Sequence, residues 1–411
     1  MPTNTAQRKK VLEIYNTALK VVHGEQCVAH YLLSDKFSQR LVANEKIAVL
    51  AIGKAACSMA QGAYTVVNKN FLAGLVISRQ GHLAKPNLNS RFEYFESSHP
   101  VPSDKSLIAG QKVIDFITHL PEHTHLIVLV SGGTSALVEQ LKPGISLEDL
   151  VKVNNWLLAS GLAIEEINAI RQRLSTIKGG QLASFASHLK VSNLLLSDIP
   201  ANDPRFIGSG LFVKNSMNTV ASGLPNWLKQ LVGSEVNNEF KNRKTEVFTE
   251  LIATNAMLVN KIATLCDSTV NIFNQVLIAN AELEAETIVS VISRGERGFY
   301  IWGGEPTVKL ANNAGKGGRN QHLALLIASK IKNMANVIVL CIGTDGTDGN
   351  TEDAGALVDG ETVLRGEQQG YVLDKCIVRC NSAAFLNASG DVINTGPTGT
   401  NVMDVVIAYK W

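Results

Sequence analysis

Carboxylates and glycines alternate in the string Gly343-Thr-Asp-Gly-Thr-Asp-Gly-Asn-Thr-Glu-Asp-Ala-Gly-Ala356. The run before it, Asn336-Val-Ile-Val-Leu-Cys-Ile342, is apolar and β-branched and predicts a buried strand. In open α/β sheets, ligands bind beyond the carboxyl ends of the strands. Asp345 and Asp348 are spaced closely enough to serve one site, and the glycines let backbone approach a ligand. Carboxylates so placed suit Mg2+ and, through it, a phosphate. Asp-Gly is also ordinary turn chemistry, so a solvated turn is the competing reading.

Five further strings carry related chemistry. In Val49-Leu-Ala-Ile-Gly-Lys-Ala-Ala56 a strand runs into Gly53, then Lys54 at the mouth of a helix. The free amides and dipole of a helix start, joined by a lysine charge, suit a phosphate or carboxylate. A surface lysine beside a tight turn is the alternative. No GxxxxGK[ST] string occurs, which excludes the usual P-loop. In Leu129-Val-Ser-Gly-Gly-Thr-Ser-Ala136, a strand end is followed by Ser131, Gly132, Gly133, Thr134 and Ser135. Successive amides in such a turn can form an anion nest, and the same hydroxyls can cap a helix. The order is not GxSxG, which argues against a nucleophilic serine. Leu194-Leu-Leu-Ser-Asp-Ile-Pro-Ala-Asn-Asp-Pro204 sets Asp198 and Asp203 at another strand end; Asp203 precedes Pro204 and suits a turn. In Gly315-Lys-Gly-Gly-Arg-Asn320, Arg319 falls at a helix start after Gly317 and Gly318. A cation there opposes the helix dipole at a cost of about 0.3–1 kcal/mol, which anion binding by the guanidinium would offset. Finally, Asn394-Thr-Gly-Pro-Thr-Gly-Thr-Asn401 offers Thr398, Gly399, Thr400 and Asn401 either to phosphates or to a plain connection. Two cations, several carboxylates and glycine-rich strand ends together describe phosphoryl transfer, which needs positioning and charge neutralisation more than covalent chemistry.

These strings need a scaffold of strands and helices. Strands are predicted at residues 46–52, 75–78, 126–131 and 193–197, with helices at 55–68, 147–161 and 164–189. Such alternation argues a parallel sheet covered on both faces. The polar stretch 215–245 reads as a boundary. Beyond it come helices at 252–266, 281–294 and 320–331 and strands at 272–278, up to Trp302, 337–342 and 404–409. The expected architecture is two α/β domains, residues 1–240 and 241–411, with a cleft between them.

The chain has 411 residues, 45% hydrophobic and 18% charged, with a formal net charge of +2. That supports sizeable cores and gives no field to attract nucleic acid or membrane. No apolar run reaches the length of a membrane span. The first 22 residues read as an amphipathic helix with Val11, Tyr15, Ala18, Leu19 and Val22 on one face, not as a secretory signal. The six cysteines form no CxxC pair and fit free thiols in a reducing, cytoplasmic setting. His123 and His125 have no third ligand at usable spacing and read as a polar connection.

The chain resembles the glycerate 2-kinase family (type II glycerate kinases) along nearly its whole length. The motifs are Ile52-Gly-Lys-Ala, Ser98-His-Pro-Val-Pro-Ser-Asp-Lys105, Ser131-Gly-Gly-Thr-Ser-Ala-Leu137, Glu166-Ile-Asn168, Leu174-Ser-Thr-Ile-Lys-Gly-Gly180 and Leu196-Ser-Asp-Ile-Pro200. In the second half they are Gly303-Gly-Glu-Pro-Thr-Val308, Gly317-Gly-Arg-Asn-Gln321, Gly343-Thr-Asp-Gly-Thr-Asp-Gly349 and Thr395-Gly-Pro-Thr-Gly-Thr-Asn401, which look like a MOFRL domain. The resemblance implies a Rossmann-like N-terminal domain with a mostly parallel sheet, a C-terminal MOFRL α/β domain, and an active site in the cleft. It implies ATP-dependent phosphorylation of (R)-glycerate to 2-phosphoglycerate with a divalent metal. The family's lysine and arginine pair falls on Lys54 and Arg319, with Asp198 as a candidate to orient or deprotonate the substrate hydroxyl. The glycine loops would then cradle phosphate and the glycerate carboxylate, and Asp345 or Asp348 would hold Mg2+.

Three positions depart from the family's usual strings. Thr134 stands where a third glycine is common, Ser160-Gly-Leu-Ala-Ile164 lacks an acid, and Ser209-Gly-Leu-Phe212 replaces Ser-Gly-Pro-Thr. The first and third are expected near the substrate side, where they bear on acceptor identity. A hydroxypyruvate reductase is an alternative, although no GxGxxG string occurs for a nicotinamide. A non-catalytic sensor of a small phosphorylated acid is another. The expected partners are glycerate and ATP; the oligomeric state stays open, a homodimer being one candidate.

Overall fold

A computed structural model describes residues 4–42, 44–81, 83, 88–162, 164–214, 223–233, 245–311 and 313–411. Most of the stretch expected as a boundary, residues 215–222 and 234–244, lies outside the described residues. The chain forms two compact units: Gly24–Ala253, and a second made of Met1–His23 with Thr254–Trp411. This division differs from the expected one, because the N-terminal helix groups with the C-terminal segment.

The Gly24–Ala253 unit holds a six-stranded sheet of β1 (Ile47–Ile52), β2 (Phe71–Arg79), β3 (Phe92–Ser97), β4 (His125–Val130), β5 (Lys190–Leu196) and β6 (Val247–Ala253). All its pairings are parallel, and the order is β3-β2-β1-β4-β5-β6. β1 and β4 are buried at every position, as a parallel sheet covered on both faces requires. Ala48, Leu50 and Ile52 of β1 join Leu126, Val128 and Val130 of β4 in one core, with Ala109, Val113 and Ile117 of the helix Asp104–Thr118.

The expected helix over 164–189 ends at Leu174. Gly179 and Gly180 then take φ of +66° and +85°, and a short 3-10 turn Gln181–Ala186 follows. Residues near Ile252, expected to start a helix, belong instead to β6; the helix Asn255–Leu265 begins after Thr254, whose side chain accepts from the Met257 amide. β-branched and aromatic residues in Val247-Phe-Thr-Glu-Leu-Ile-Ala253 favour the strand.

The other unit holds β7 (Val270–Leu277), β8 (Gly298–Gly304), β9 (Val337–Gly343), β10 (Gly355–Asp359), β11 (Val392–Ile393) and β12 (Asp404–Lys410), in the order β11-β10-β9-β12-β8-β7. Among the described residues only β7 with β8 is parallel; β12 runs antiparallel to both β8 and β9. The turn after β9 and the residue that opens β12 therefore share one edge, with Gly343 opposite Asp404. The helix Arg319–Lys330 is buried along most of its length, and its Leu323 and Leu326 pack in the core with Val339, Val358 and Val406.

The N-terminal helix Thr5–Leu19 buries Arg8, Val11, Ile14, Tyr15 and Ala18; Ile14 replaces the expected Leu19 on the inner face. Arg8 reaches Asp359 Oδ2 at 2.8 Å, Asp391 Oδ1 at 2.9 Å and the Leu357 carbonyl at 2.6 Å. Arg365 binds the same two carboxylates, at Asp359 Oδ1 (3.0 Å) and Asp391 Oδ1 (2.8 Å). This buried quartet is the physical reason that the first residues belong to the C-terminal unit. No described helix is long and apolar enough to cross a membrane, and all six cysteines are free thiols.

Candidate active site

In the Gly24–Ala253 unit, β1 pairs with β4 so that Ile52 lies opposite Val130. The turns that follow these strands leave the sheet side by side. Connections go to β2 on one side and to β5 on the other, so this is the sheet's topological switch point. Hydrogen bonds stitch the turns together. The Lys54 amide donates to the Gly132 carbonyl at 2.9 Å, and the Ala55 amide to Ser131 Oγ at 3.1 Å. Thr134 Oγ1 lies 2.9 Å from the Ile52 carbonyl and 2.8 Å from that of Ser131. Gly53 has φ +128°, and a Cβ there would stand 2.1 Å from Ser131 Oγ, so the approach requires glycine.

Ser131 and Thr134 are fully buried. Their hydroxyls hold the turns together, which is a different task from the ligand contact expected. Ser135 Oγ pairs with Ser209 Oγ at 2.7 Å. Among the described residues, the amides of Gly132 and Gly133 donate to no acceptor of the chain. A Cβ on Gly133 would meet the His99 ring at 3.0 Å and Lys54 Cγ at 3.5 Å, so the lysine stem and an imidazole flank those amides. Two open amides beside a half-buried lysine can hold an anion.

Asp198 follows β5, which pairs with β4, and is half-buried at the same sheet edge. Asp203 does shape a turn: it accepts from the Arg205 amide at 2.9 Å and from Arg205 Nε at 2.9 and 3.0 Å. The Arg205 hydrogen bond holds its carboxyl below the usual range. Leu211 and Phe212 lie in the hydrophobic core, 2% and 4% exposed. Together with Thr134, they alter the packing under the turns rather than a substrate-facing surface.

In the other unit, Arg319 opens the helix Arg319–Lys330. Its Nε donates to Asp404 Oδ2 at 2.5 Å, its Nη2 to Asp404 Oδ1 at 3.0 Å, and its Nη1 meets Glu305 Oε1 at 2.9 Å. Burial alone would lower its pKa; the Asp404 charge and hydrogen bond, with Glu305, more than reverse this. The compensation expected from a bound anion is thus supplied by the protein's own carboxylates. Asp404 and Glu305 were not singled out from sequence, although Glu305 sits in the quoted Gly-Gly-Glu-Pro string.

Asp348 is 2% exposed and accepts from the Asn320 amide at 3.1 Å and the Gln321 amide at 2.8 Å. It caps the helix from a distant loop, where Gly318 offers no side chain. A Cβ on Gly318 would stand 2.3 Å from Asp348, so this seat requires glycine. Burial pushes the Asp348 carboxyl up to about 7 against the pull of these amides, with Asp404 adding to the rise and Arg319 opposing it. Both oxygens serve the helix, so Asp348 fits poorly as the expected metal ligand. Asp345, half-buried, accepts at Oδ1 from the Thr347 amide and hydroxyl at 3.0 and 3.1 Å. Among the described residues, no group of three or more His, Cys, Asp or Glu could hold a metal ion.

The remaining expected contacts are largely internal. The Gly317 amide donates to Asn350 Oδ1 at 2.9 Å. Thr398 Oγ1 donates to the Thr344 carbonyl at 2.5 Å and Thr400 Oγ1 to the Val22 carbonyl at 2.6 Å. Asn401 is buried and Gly399 half-buried. The string from Thr395 to Asn401 is therefore a strap that ties the Gly343 turn to the end of the N-terminal helical segment.

The fold agrees with the comparisons to known proteins. A family model described as a domain of unknown function, DUF4147, matches residues 10–230, and the MOFRL family model matches 298–404. A D-glycerate 2-kinase of Thermotoga maritima is 32% identical over 97% of this chain and 97% of its own length. A glycerate 2-kinase of Pyrococcus horikoshii is 32% identical over 88% of this chain and 87% of its own. A crystal structure of glycerate kinase from Thermotoga maritima superposes with a TM-score of 0.84 at 30% identity, covering 99% of this chain and all of that one. The chain belongs to the glycerate 2-kinase family.

Proposed function

We propose that the chain transfers the γ-phosphoryl group of ATP to the 2-hydroxyl of (R)-glycerate, giving 2-phosphoglycerate and ADP. The observation that carries this reading is the end-to-end likeness to glycerate 2-kinases, with Lys54 and Arg319 each set at a glycine turn. Lys54, with the Gly132 and Gly133 amides, binds an anionic group, phosphate or carboxylate. Arg319, held in orientation by Asp404, neutralises charge on the transferring phosphoryl group. Asp198 accepts the proton of the 2-hydroxyl as its oxygen bonds to phosphorus and the bond to ADP breaks. Asp345 would be the carboxylate of the Gly343 turn to hold Mg2+, since Asp348 is committed to the helix, and the ion would supply charge neutralisation at the nucleotide phosphates.

Purified protein with ATP, Mg2+ and (R)-glycerate should release ADP, and mass analysis should find 2-phosphoglycerate. Phosphorylation at the 3-position would refute the regiochemistry, and no glycerate-dependent ADP would refute the activity. A hydroxypyruvate reductase is the second reading, favoured by one observation: β3-β2-β1-β4-β5-β6 is the strand order of dinucleotide-binding sheets. The β1 turn reads Gly53-Lys-Ala-Ala-Cys-Ser58 without the glycine fingerprint. Oxidation of NADH or NADPH with hydroxypyruvate tests it directly.

A further inference from the structure

The loop before Arg319 reads Gly315-Lys-Gly-Gly318, and its glycines give it no apolar anchor of its own. Backbone hydrogen bonds fix its path instead. The Gly315 amide donates to the Arg379 carbonyl at 2.8 Å, the Lys316 amide to Asn381 Oδ1 at 2.9 Å, and the Ala383 amide to the Lys316 carbonyl at 3.0 Å. A Cβ on Gly317 would meet the Ala383 amide nitrogen at 3.3 Å and that of Ser382 at 3.4 Å, so the loop lies directly against the start of the helix Ser382–Ser389. Whatever holds residues 379–383 therefore holds the loop.

One buried side chain ties this segment to the helix that Arg319 opens. His322, three residues after Arg319, is 2% exposed, and its Nδ1 lies 3.0 Å from Ser382 Oγ. The other ring nitrogen, Nε2, faces Glu282 Oε1 of the helix Ala281–Arg294 at 3.6 Å. A carboxylate there favours the Nε2–H tautomer, which leaves the Nδ1 lone pair to accept from the Ser382 hydroxyl. Burial holds the imidazole below the ordinary histidine value, so the ring is neutral and able to accept at neutral pH. Serine, imidazole and carboxylate in line are also the parts of a hydrolytic triad, but Ser382 is 1% exposed and can attack no substrate.

We propose that His322 is a positioning residue: by accepting from Ser382 it locks the start of the helix Ser382–Ser389 to the helix Arg319–Lys330, and so holds the Gly315–Gly318 loop in register with Arg319. This rests on the kinase reading only for its kinetic readout. His322 touches no reacting atom; it acts through Ser382 and the loop.

Two amide variants of His322 separate this role from packing. Asparagine places an amide oxygen where Nδ1 stands, whereas glutamine fills more of the site but reaches toward Glu282. Lost packing alone would make His322→Asn the worse variant, and positioning through Ser382 reverses that order. With ATP, Mg2+ and (R)-glycerate, His322→Gln and Ser382→Ala should each lower kcat about tenfold with both KM values within about twofold, and His322→Asn should stay within about twofold of wild type. Backbone amide exchange across residues 315–319 should quicken about tenfold in His322→Gln and Ser382→Ala and keep its wild-type rate in His322→Asn. Wild-type kcat in His322→Gln or Ser382→Ala would overturn the proposal. So would a His322→Asn variant no better than His322→Gln. If the wild-type protein makes no phosphoglycerate, the kinase reading fails, while the exchange rates still decide the His322 contact.

Discussion

Replacing Asp404 by asparagine separates the two carboxylates that hold Arg319. Asp404 is 2% exposed and takes two hydrogen bonds from the guanidinium, at 2.5 and 3.0 Å. Glu305 is 40% exposed and takes one contact at 2.9 Å. Hydrogen bonds to charged groups contribute about 1.5–3 kcal/mol each when buried, whereas exposed ion pairs contribute about 0–1 kcal/mol. Asparagine keeps the volume but turns one acceptor into an NH2 group facing Arg319. At least one charge-assisted bond is lost, roughly 2 kcal/mol of orientation. The arginine side chain remains 35% exposed, so its charge stays hydrated and the loss appears as misorientation rather than as an unpaired buried ion. At about 1.4 kcal/mol per tenfold, kcat should fall about 30-fold. Glu305→Gln should cost less than about fivefold by the same reasoning. Steady-state ADP release with saturating (R)-glycerate measures both. Equal losses, or a larger loss for Glu305→Gln, would refute the view that the buried carboxylate sets the arginine.

Other consequences follow from the same geometry. Gly53→Ala must accept a φ of +128° and a Cβ 2.1 Å from Ser131 Oγ, so it should lose at least about 3 kcal/mol in urea unfolding and most activity; wild-type stability would show that the turns are not stitched. Arg8→Met leaves Asp359 and Asp391 with only Arg365 among the described cations near them, and should destabilise by about 3 kcal/mol without changing either KM. An altered KM at unchanged stability would contradict that assignment. His125 and His322 are both held below the usual histidine value, chiefly by burial and against the pull of Glu45 and Glu282 respectively. Groups so depressed take up protons first in the unfolded chain, so stability should fall as pH drops below about 6.5. Thermal midpoints at pH 7.5 and 5.5 should converge when both are replaced by glutamine; an unchanged acid loss would place its origin elsewhere.

Much of the scaffold was legible because strand and helix periods are local. The apolar runs at β1, β4, β5 and β9 and the helix Ala281–Arg294 lie within a few residues of their expected places. β6 was missed because its inner residues merge with the following helix start, and the boundary there is set by the Thr254 cap. β3 and the helix Asp104–Thr118 were missed as well. The Phe92-Glu-Tyr-Phe-Glu-Ser97 string shows mixed burial and a weak period. In the site, the turns at Lys54, Ser131, Arg319 and Asp345 were legible from glycine and charge. What each hydroxyl or carboxylate bonds to was not, since Ser131 meets Ala55 across 76 residues and Asp348 meets Asn320 across 28.

The sequence by itself determined the family, two α/β sheets, and the turns on which chemistry could rest, because glycine placement, charge and apolar periodicity are written residue by residue. The tertiary structure alone decided which polar groups are spent on the protein itself. Ser131, Thr134, Thr398, Thr400 and Asp348 turn inward, and Asp404 holds the guanidinium of Arg319. It also decided that the first helix belongs with the C-terminal segment, because Arg8 finds its carboxylates 351 and 383 residues away. A buried polar group must be paired, and its partner is fixed by where the chain returns in space, which no local pattern records.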